Sequence, residues 1–343
     1  MVQRAGVGLL LWIVGCASEP APFDPYATCH PGRCYPAFSE VPDQLDVLLV
    51  IENTSSMAAA QARLAAQLPR FVHQLLAGDS DGDGSGDFFP PRSLHVGIVD
   101  TDMGPGGTAG TANCDVGFGD DGLMQTRLAH PRAGCRSDYL SSYPGRIFDF
   151  TMGAPVSDAA YAADVACMTQ IGTDGCGFAA PLEAALKAIS LTPAATGDSP
   201  VSWTHPGYRP PVFFGGTFGH GDDPATNGNF LFPFGTTAVV LLATHDDCST
   251  DMPQIFSLDD AMFSATNINL RCHTFGDRLY PIERYADGLV GLRAAPHELV
   301  LSVIEGVPTD LAGSDPAVIL ADPRMLPRID PAHADRLVPA ESV

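Results

Sequence analysis

The sequence predicts an α/β protein: a doubly wound, mostly parallel central sheet with helices on both faces, carrying disulfide-bearing insertions. Three observations predict it. The stretches "LDVLLVIE" (45–52) and "TAVVLLAT" (237–244) are continuous apolar runs, the pattern of strands buried on both faces of a parallel sheet. Helical periodicities fall between the strand-like runs, the alternation that crossover helices produce. The first apolar run ends in a polar turn, "ENTSS" (52–56), at the carboxyl end of a strand, where open α/β sheets bind ligands.

Taken in order, the first strand (45–52) leads to a helix over 57–77, whose apolar face is Leu64, Leu68, Phe71 and Leu75 at three- and four-residue steps. "SLHVGIVDT" (93–101) is the second strand. Residues 102–150 are Gly-rich and irregular and read as one long insertion with two cysteines. A helix near 157–170 precedes "GTDGCGFAAPLEAALKAI", in which Pro181 suits a first helical turn and Leu182, Leu186 and Ile189 form the stripe. Residues 192–236 are loop, 237–244 the next strand. Residues 280–295 are helical with Ile282, Tyr285, Leu289 and Leu292 inward, and "ELVLSVI" (298–304) is the last strand. The domain spans 44–305, and 306–343 is an irregular C-terminal extension.

The chain has 343 residues, with 18 basic against 40 acidic side chains and a net charge of -22. That balance repels phosphate backbones and anionic lipid heads, so nucleic acid is an unfavourable partner, while calcium and basic proteins are favoured. Residues 1–15 read as a signal peptide: Arg4 is followed by an apolar segment too short to span a bilayer. It ends in "IVGC", which resembles a bacterial lipobox. The resemblance implies cleavage before Cys16 and lipid attachment there, with Ala17 favouring the outer membrane, so that the only membrane contact is the anchor. Residues 16–43 form a Pro-rich tether. Eight cysteines remain for an oxidising compartment. Of roughly a hundred possible pairings, proximity alone suggests Cys29 with Cys34, Cys114 with Cys135, Cys167 with Cys176, and Cys248 with Cys272.

The order of strand, "ENTSS", helix, "GIVDT", "CGFAAPLEAAL" and "AVVLLATHDD" resembles a von Willebrand factor A (VWA) domain over residues 44–305, and more narrowly the VWA domains of secreted bacterial lipoproteins. The resemblance implies a Rossmann-like sheet and an adhesion site in which three loops hold Mg²⁺ or Mn²⁺ and leave a position open for a partner's carboxylate. Its first loop is D-x-S-x-S, matched here by Glu52, Thr54 and Ser56. The family's second-loop threonine falls on Cys176, and its third-loop aspartate on Thr244, with Asp246 and Asp247 following. Mg²⁺ tolerates poor geometry badly, so these departures imply a degenerate site. The bland alternative is a helix cap from Thr54 or Ser55. His245, beside Asp246, is open to reading as ligand, base or structural residue.

A second cation loop is read from the residues themselves. "DSDGDGSGD" (79–87) alternates Asp79, Asp81, Asp83, Ser85 and Asp87 around Gly84, like the first nine positions of an EF-hand loop. Pro90 stands where the bidentate Glu would be, so Ca²⁺ would need a ligand from elsewhere. Its expected role is to stiffen the connection into the second strand, and the alternative is a solvated acidic linker. There is no HExxH, GxSxG, P-loop or post-strand GxGxxG, and catalysis has no positive support. The expected function is that of a non-enzymatic, lipid-anchored binding protein that presents the carboxyl rim to a protein or envelope component. A calcium-stabilised structural role, or a hydrolase using His245, stands as the alternative.

Overall fold

The structure is a computed structural model and describes residues 28–30, 33–35, 43–109, 111, 114, 117–128, 132–153, 155–193 and 202–338. The expected signal peptide, Cys16 and most of the tether lie outside the described residues. The chain divides into two units, Met1–Glu40 and Val41–Val343. In the first, strands β1 (Thr28–His30) and β2 (Arg33–Tyr35) pair antiparallel with Cys29 opposite Cys34. The side chains of that cysteine pair lie outside the described residues.

The second unit is built on one five-stranded sheet. Its strands are β3 (Gln44–Ile51), β4 (Ser93–Asp100), β5 (Phe148–Thr151), β6 (Thr236–Leu242) and β7 (Leu299–Ile304), in the order β5-β4-β3-β6-β7. Every neighbouring pair is parallel except β4 with β5. The apolar run at the start of the domain is the central strand because both of its faces are covered. Val47, Leu49 and Ile51 share one core cluster with Leu68, Val72 and Leu76 of α1 (Ala58–Ala77) and with Tyr161 and Val165 of α2 (Asp158–Met168). Leu48 and Val50 share the other with Leu186 and Ile189 of α3 (Pro181–Ile189) and Tyr285 and Leu289 of the helix Ile282–Gly291. Each fully buried aliphatic side chain contributes about 1.5–3 kcal/mol, so alternate residues of one strand tie helices to both sides. Ser157 caps α2 by accepting from the Ala160 N–H at 3.3 Å.

Several sequence expectations are corrected. The buried stripe of α1 runs through Gln61, Ala65, Leu68, Val72 and Leu76, leaving Phe71 41% exposed. Counting only large side chains had missed Ala65 and the polar Gln61, and so rotated the stripe. Ile282, expected to face inward, is the first residue of its helix and is 62% exposed. The 102–150 segment is not insertion throughout: its end supplies β5, a four-residue strand of alternating burial. Residues 306–338 include a helix, Pro316–Ala321, and an antiparallel hairpin of Arg328–Asp330 with His333–Val338.

Two of the proximity-based disulfides are wrong. The bonds are Cys114–Cys176 and Cys135–Cys167, not Cys114 with Cys135 and Cys167 with Cys176; Cys248–Cys272 is as expected. Cys176 lies on the loop entering α3, where the Asp102 carboxylate accepts its N–H at 2.9 Å and holds it beside the segment that follows β4. Cys167 belongs to α2 and packs with Cys135 against the opposite face. The sheet sets these neighbourhoods, and sequence distance does not report them. Three disulfides fit an oxidising compartment. Among the described residues no helix is long and apolar enough to cross a membrane.

One ion pair is sealed in the core. Asp46 and Arg293 expose 0% and 1% of their side chains and meet at 2.6 Å. Arg293 also donates to the Phe232 carbonyl at 2.7 Å and to the Thr237 hydroxyl at 2.8 Å. Deleting one partner strands the other charge away from water. Arg293→Ala is therefore expected to cost about 3–5 kcal/mol in urea denaturation, and an Asp46→Asn change added to it is expected to recover part of that loss.

Candidate functional site

β4 lies on one side of β3 and β6 on the other, so the strand order reverses at β3, the position at whose carboxyl end open α/β sheets bind ligands. Four loops converge there through backbone contacts. The Gly175 N–H donates to the Asn53 carbonyl at 3.0 Å, the Ala180 N–H to Thr101 at 3.0 Å, and the Cys248 N–H to Ala179 at 2.8 Å. Gly175 has no room for a side chain, because a Cβ would lie 2.1 Å from the Asn53 amide oxygen.

At the centre lies Glu52, fully buried. Its Oε1 accepts a very short hydrogen bond from the Thr54 hydroxyl and one from His245 Nδ1 at 2.5 Å. Its Oε2 accepts the Thr244 N–H at 2.6 Å and the Thr244 hydroxyl at 3.3 Å. The Ser56 hydroxyl lies 3.3 Å from that of Thr54. Gln61 anchors the loop from below, donating to the carbonyls of Glu52 at 2.9 Å and Gly172 at 2.7 Å. Burial raises the Glu52 carboxyl, but the hydrogen bond and charge of His245, with bonds from Thr244 and Thr54, hold it below the ordinary 4.5. The bond to Glu52 in turn lifts the His245 imidazole above its ordinary 6.5, against partial burial.

The expected site residues separate into those gathered at Glu52 and those elsewhere. Glu52, Thr54 and Ser56 are together. Asp246 is exposed and acts by charge on His245 and on Glu305, whose carboxyl is raised first by burial and then by Asp246. Asp247 serves α3: its carboxylate accepts the Leu182 N–H at 2.8 Å and the Ser249 N–H at 2.9 Å, while burial pushes its pKa up to about 6. Neither Thr54 nor Ser55 caps α1, whose N-cap is Met57 without a side-chain cap; the Thr54 hydroxyl is spent on Glu52. A hard cation at Glu52 would have to displace His245, whose Nδ1 lies 2.5 Å from the carboxylate and whose imidazole that bond favours in the protonated form. The Mg²⁺ or Mn²⁺ ligand set is further thinned by the engagement of Cys176 in a disulfide and by Thr244 in place of a carboxylate.

Sequence reading missed Asp100 and Asp102, although "VDTD" at the end of β4 was a signal of the same kind as "ENTSS". Asp102 accepts the N–H groups of Gly104 at 2.8 Å and Cys176 at 2.9 Å, clamping two rim loops together. Asp100 is buried and its carboxyl is pushed well up, first by burial and then by Asp120.

The 79–87 loop closes on α1's C-cap, Gly78, a left-handed residue (φ 71°) whose carbonyl accepts the N–H groups of Asp87 at 2.8 Å and Phe88 at 3.0 Å. A Cβ at Gly78 would lie 2.2 Å from the Phe88 carbonyl oxygen. Asp79, Asp81 and Asp87 each offer an oxygen within 4.8 Å of one another. Asp83 is not one of that carboxylate group and instead accepts the Ser85 N–H at 2.7 Å. Asp79 accepts the N–H groups of Gly82 and Gly84 at 2.7 and 2.9 Å, and Asp87 accepts the Ser80 N–H at 2.9 Å.

Comparison with family models, with curated proteins and with solved structures found no match for this chain.

The pairing of Glu52 with His245 has a defined pH signature. The raised His245 contributes stability in full below 6.5 and loses it as pH rises through its higher folded value. The depressed Glu52 contributes above 4.5 and loses it as pH falls through its lower folded value. His245→Gln should therefore lose most, relative to wild type, between 4.5 and 6.5, with the difference shrinking at alkaline pH. Because 48% of the imidazole side chain is exposed, screening limits the expected loss to about 1 kcal/mol, read from urea midpoints across pH.

Proposed function

We propose that this chain is an exported, lipid-anchored VWA-type binding protein that engages a protein or envelope component through the carboxyl rim of its sheet. The observation that carries the reading is the convergence, at the carboxyl end of the central strand, of the loops after β3, after β4, before α3 and after β6. This is where open α/β sheets bind ligands. A parallel sheet with one antiparallel edge strand, and with helices packed on both faces, supports the VWA reading of the "ENTSS" and "GCGF" islands. In this reading His245 takes the place of a rim cation, so binding is independent of Mg²⁺ and Mn²⁺. Lipidation at Cys16 and the outer-membrane location rest on the lipobox-like sequence alone.

Calcium belongs to the other loop. Asp79, Asp81 and Asp87 would supply three carboxylate oxygens to Ca²⁺, whose role is to stiffen the link from α1 into β4.

Two experiments separate these parts. Millimolar Ca²⁺ is expected to raise Tm by a few degrees through mass action, and Asp81→Asn with Asp87→Asn is expected to abolish the shift. Site-specific photocrosslinking from Ser55 in the native envelope is expected to trap one discrete partner, with or without EDTA, and Asp246→Lys to lose it at unchanged Tm. Trapping that survives Asp246→Lys, or that EDTA abolishes, contradicts the metal-free rim.

A further inference from the structure

The end of the sheet opposite the rim carries a second arrangement that the binding function does not use. His95 on β4 and Asp149 on β5 are cross-strand partners. They stand at a cleft of about 490 Å³ walled by Pro144, Ile147, Leu231 and Phe232. That volume is on the scale of small-molecule sites, about 300–1,000 Å³.

The histidine is fixed in one orientation. Its ring stacks on Phe232 with centroids 3.7 Å apart and planes 15° apart. Its Nδ1 lies 2.6 Å from the Phe230 carbonyl oxygen. A carbonyl only accepts, so Nδ1 carries the hydrogen and donates. Behind it, Asp46 Oδ1 is buried, lies 3.4 Å from the same nitrogen, and has no hydrogen-bond partner among the described residues. The charge of Asp46 further favours a hydrogen on that nitrogen. This leaves Nε2 as the nitrogen beside Asp149, 3.6 Å from Oδ1. The His95 side chain is 11% exposed and the Asp149 side chain 57%, so the carboxylate is accessible and the imidazole recessed.

With Nδ1 donating to Phe230, the neutral imidazole presents Nε2 as an acceptor, and Nε2 and the Asp149 carboxylate, set 3.6 Å apart, then call for a shared donor. We propose that this cleft binds a small organic cation, a primary ammonium on an apolar body, with the ammonium donating to both Asp149 and His95 Nε2. An ammonium has three donors and can serve both acceptors at ordinary hydrogen-bond lengths. Its apolar body lies against Ile147, Leu231 and Phe232, and the chain's charge of -22 adds long-range attraction. The site is independent of the rim and of any partner there.

The test is calorimetric titration of the intact protein at about pH 8, above the ordinary imidazole range, with phenethylamine and with the isosteric, uncharged phenethyl alcohol as probes. The amine is expected to bind about tenfold or more tightly than the alcohol, and Asp149→Asn to bring it to the alcohol's level at unchanged Tm. Equal binding of the two probes, absence of amine binding at millimolar concentration, or unaltered affinity in Asp149→Asn overturns the proposal. So does a nitrogen-15 spectrum showing His95 doubly protonated at that pH, because an imidazolium paired with Asp149 removes the acceptor that the ammonium needs.

Discussion

A carboxylate with no exposed surface requires a compensating charge or a full set of donors, and Glu52 sits at the point where the sheet reverses. Its surroundings are arranged to meet that requirement. One oxygen takes Thr54 and His245, the other takes Thr244, and the bonds to Thr244 and His245 tie the end of β3 to the loop after β6. Gln61 ties the same turn to Gly172, ahead of α3. Without a charge partner Glu52 would be driven toward its neutral form, and the loops that it joins would lose their common anchor.

The central sheet was legible because β3, β4 and β6 are long apolar runs whose burial leaves little choice of pattern. β5 was not, because "FDFT" is too short to show a period, and its pairing with β4 is a tertiary event. Disulfide partners were misread wherever the sheet brings distant loops together: Cys114 and Cys176 are 62 residues apart in sequence. In the rim, "ENTSS" located the strand end and the carboxylate. Nothing in that stretch says that His245, 193 positions later, points its Nδ1 at Glu52. The role of Asp247 as acceptor for the start of α3 was likewise invisible until the helix was placed.

Acidity is distributed with distinct consequences over the fold. At residues 79–87 the carboxylates sit at the surface and accept backbone N–H groups of their own loop. At Asp46 a buried carboxylate meets a buried guanidinium on one oxygen and faces the recessed His95 imidazole on the other. At Glu52 the partner is a half-exposed imidazole, the weakest and most adjustable of the three solutions. A rim built this way ties its loops together while leaving the exposed side of His245, with Asp246 beside it, open to solvent, where the proposed partner would meet it.

The account stands on His245 being the cation of the rim. The most direct measurement is a proton–nitrogen NMR titration of His245 in the intact protein, run with and without millimolar Mn²⁺ or its diamagnetic counterpart Mg²⁺. The account predicts that His245 titrates above 6.5, that Glu52→Gln brings it back toward that value, and that the divalent ion leaves both the titration and the linewidths unchanged. Titration at or below 6.5, or a shift and broadening of His245 by the divalent ion, would contradict it.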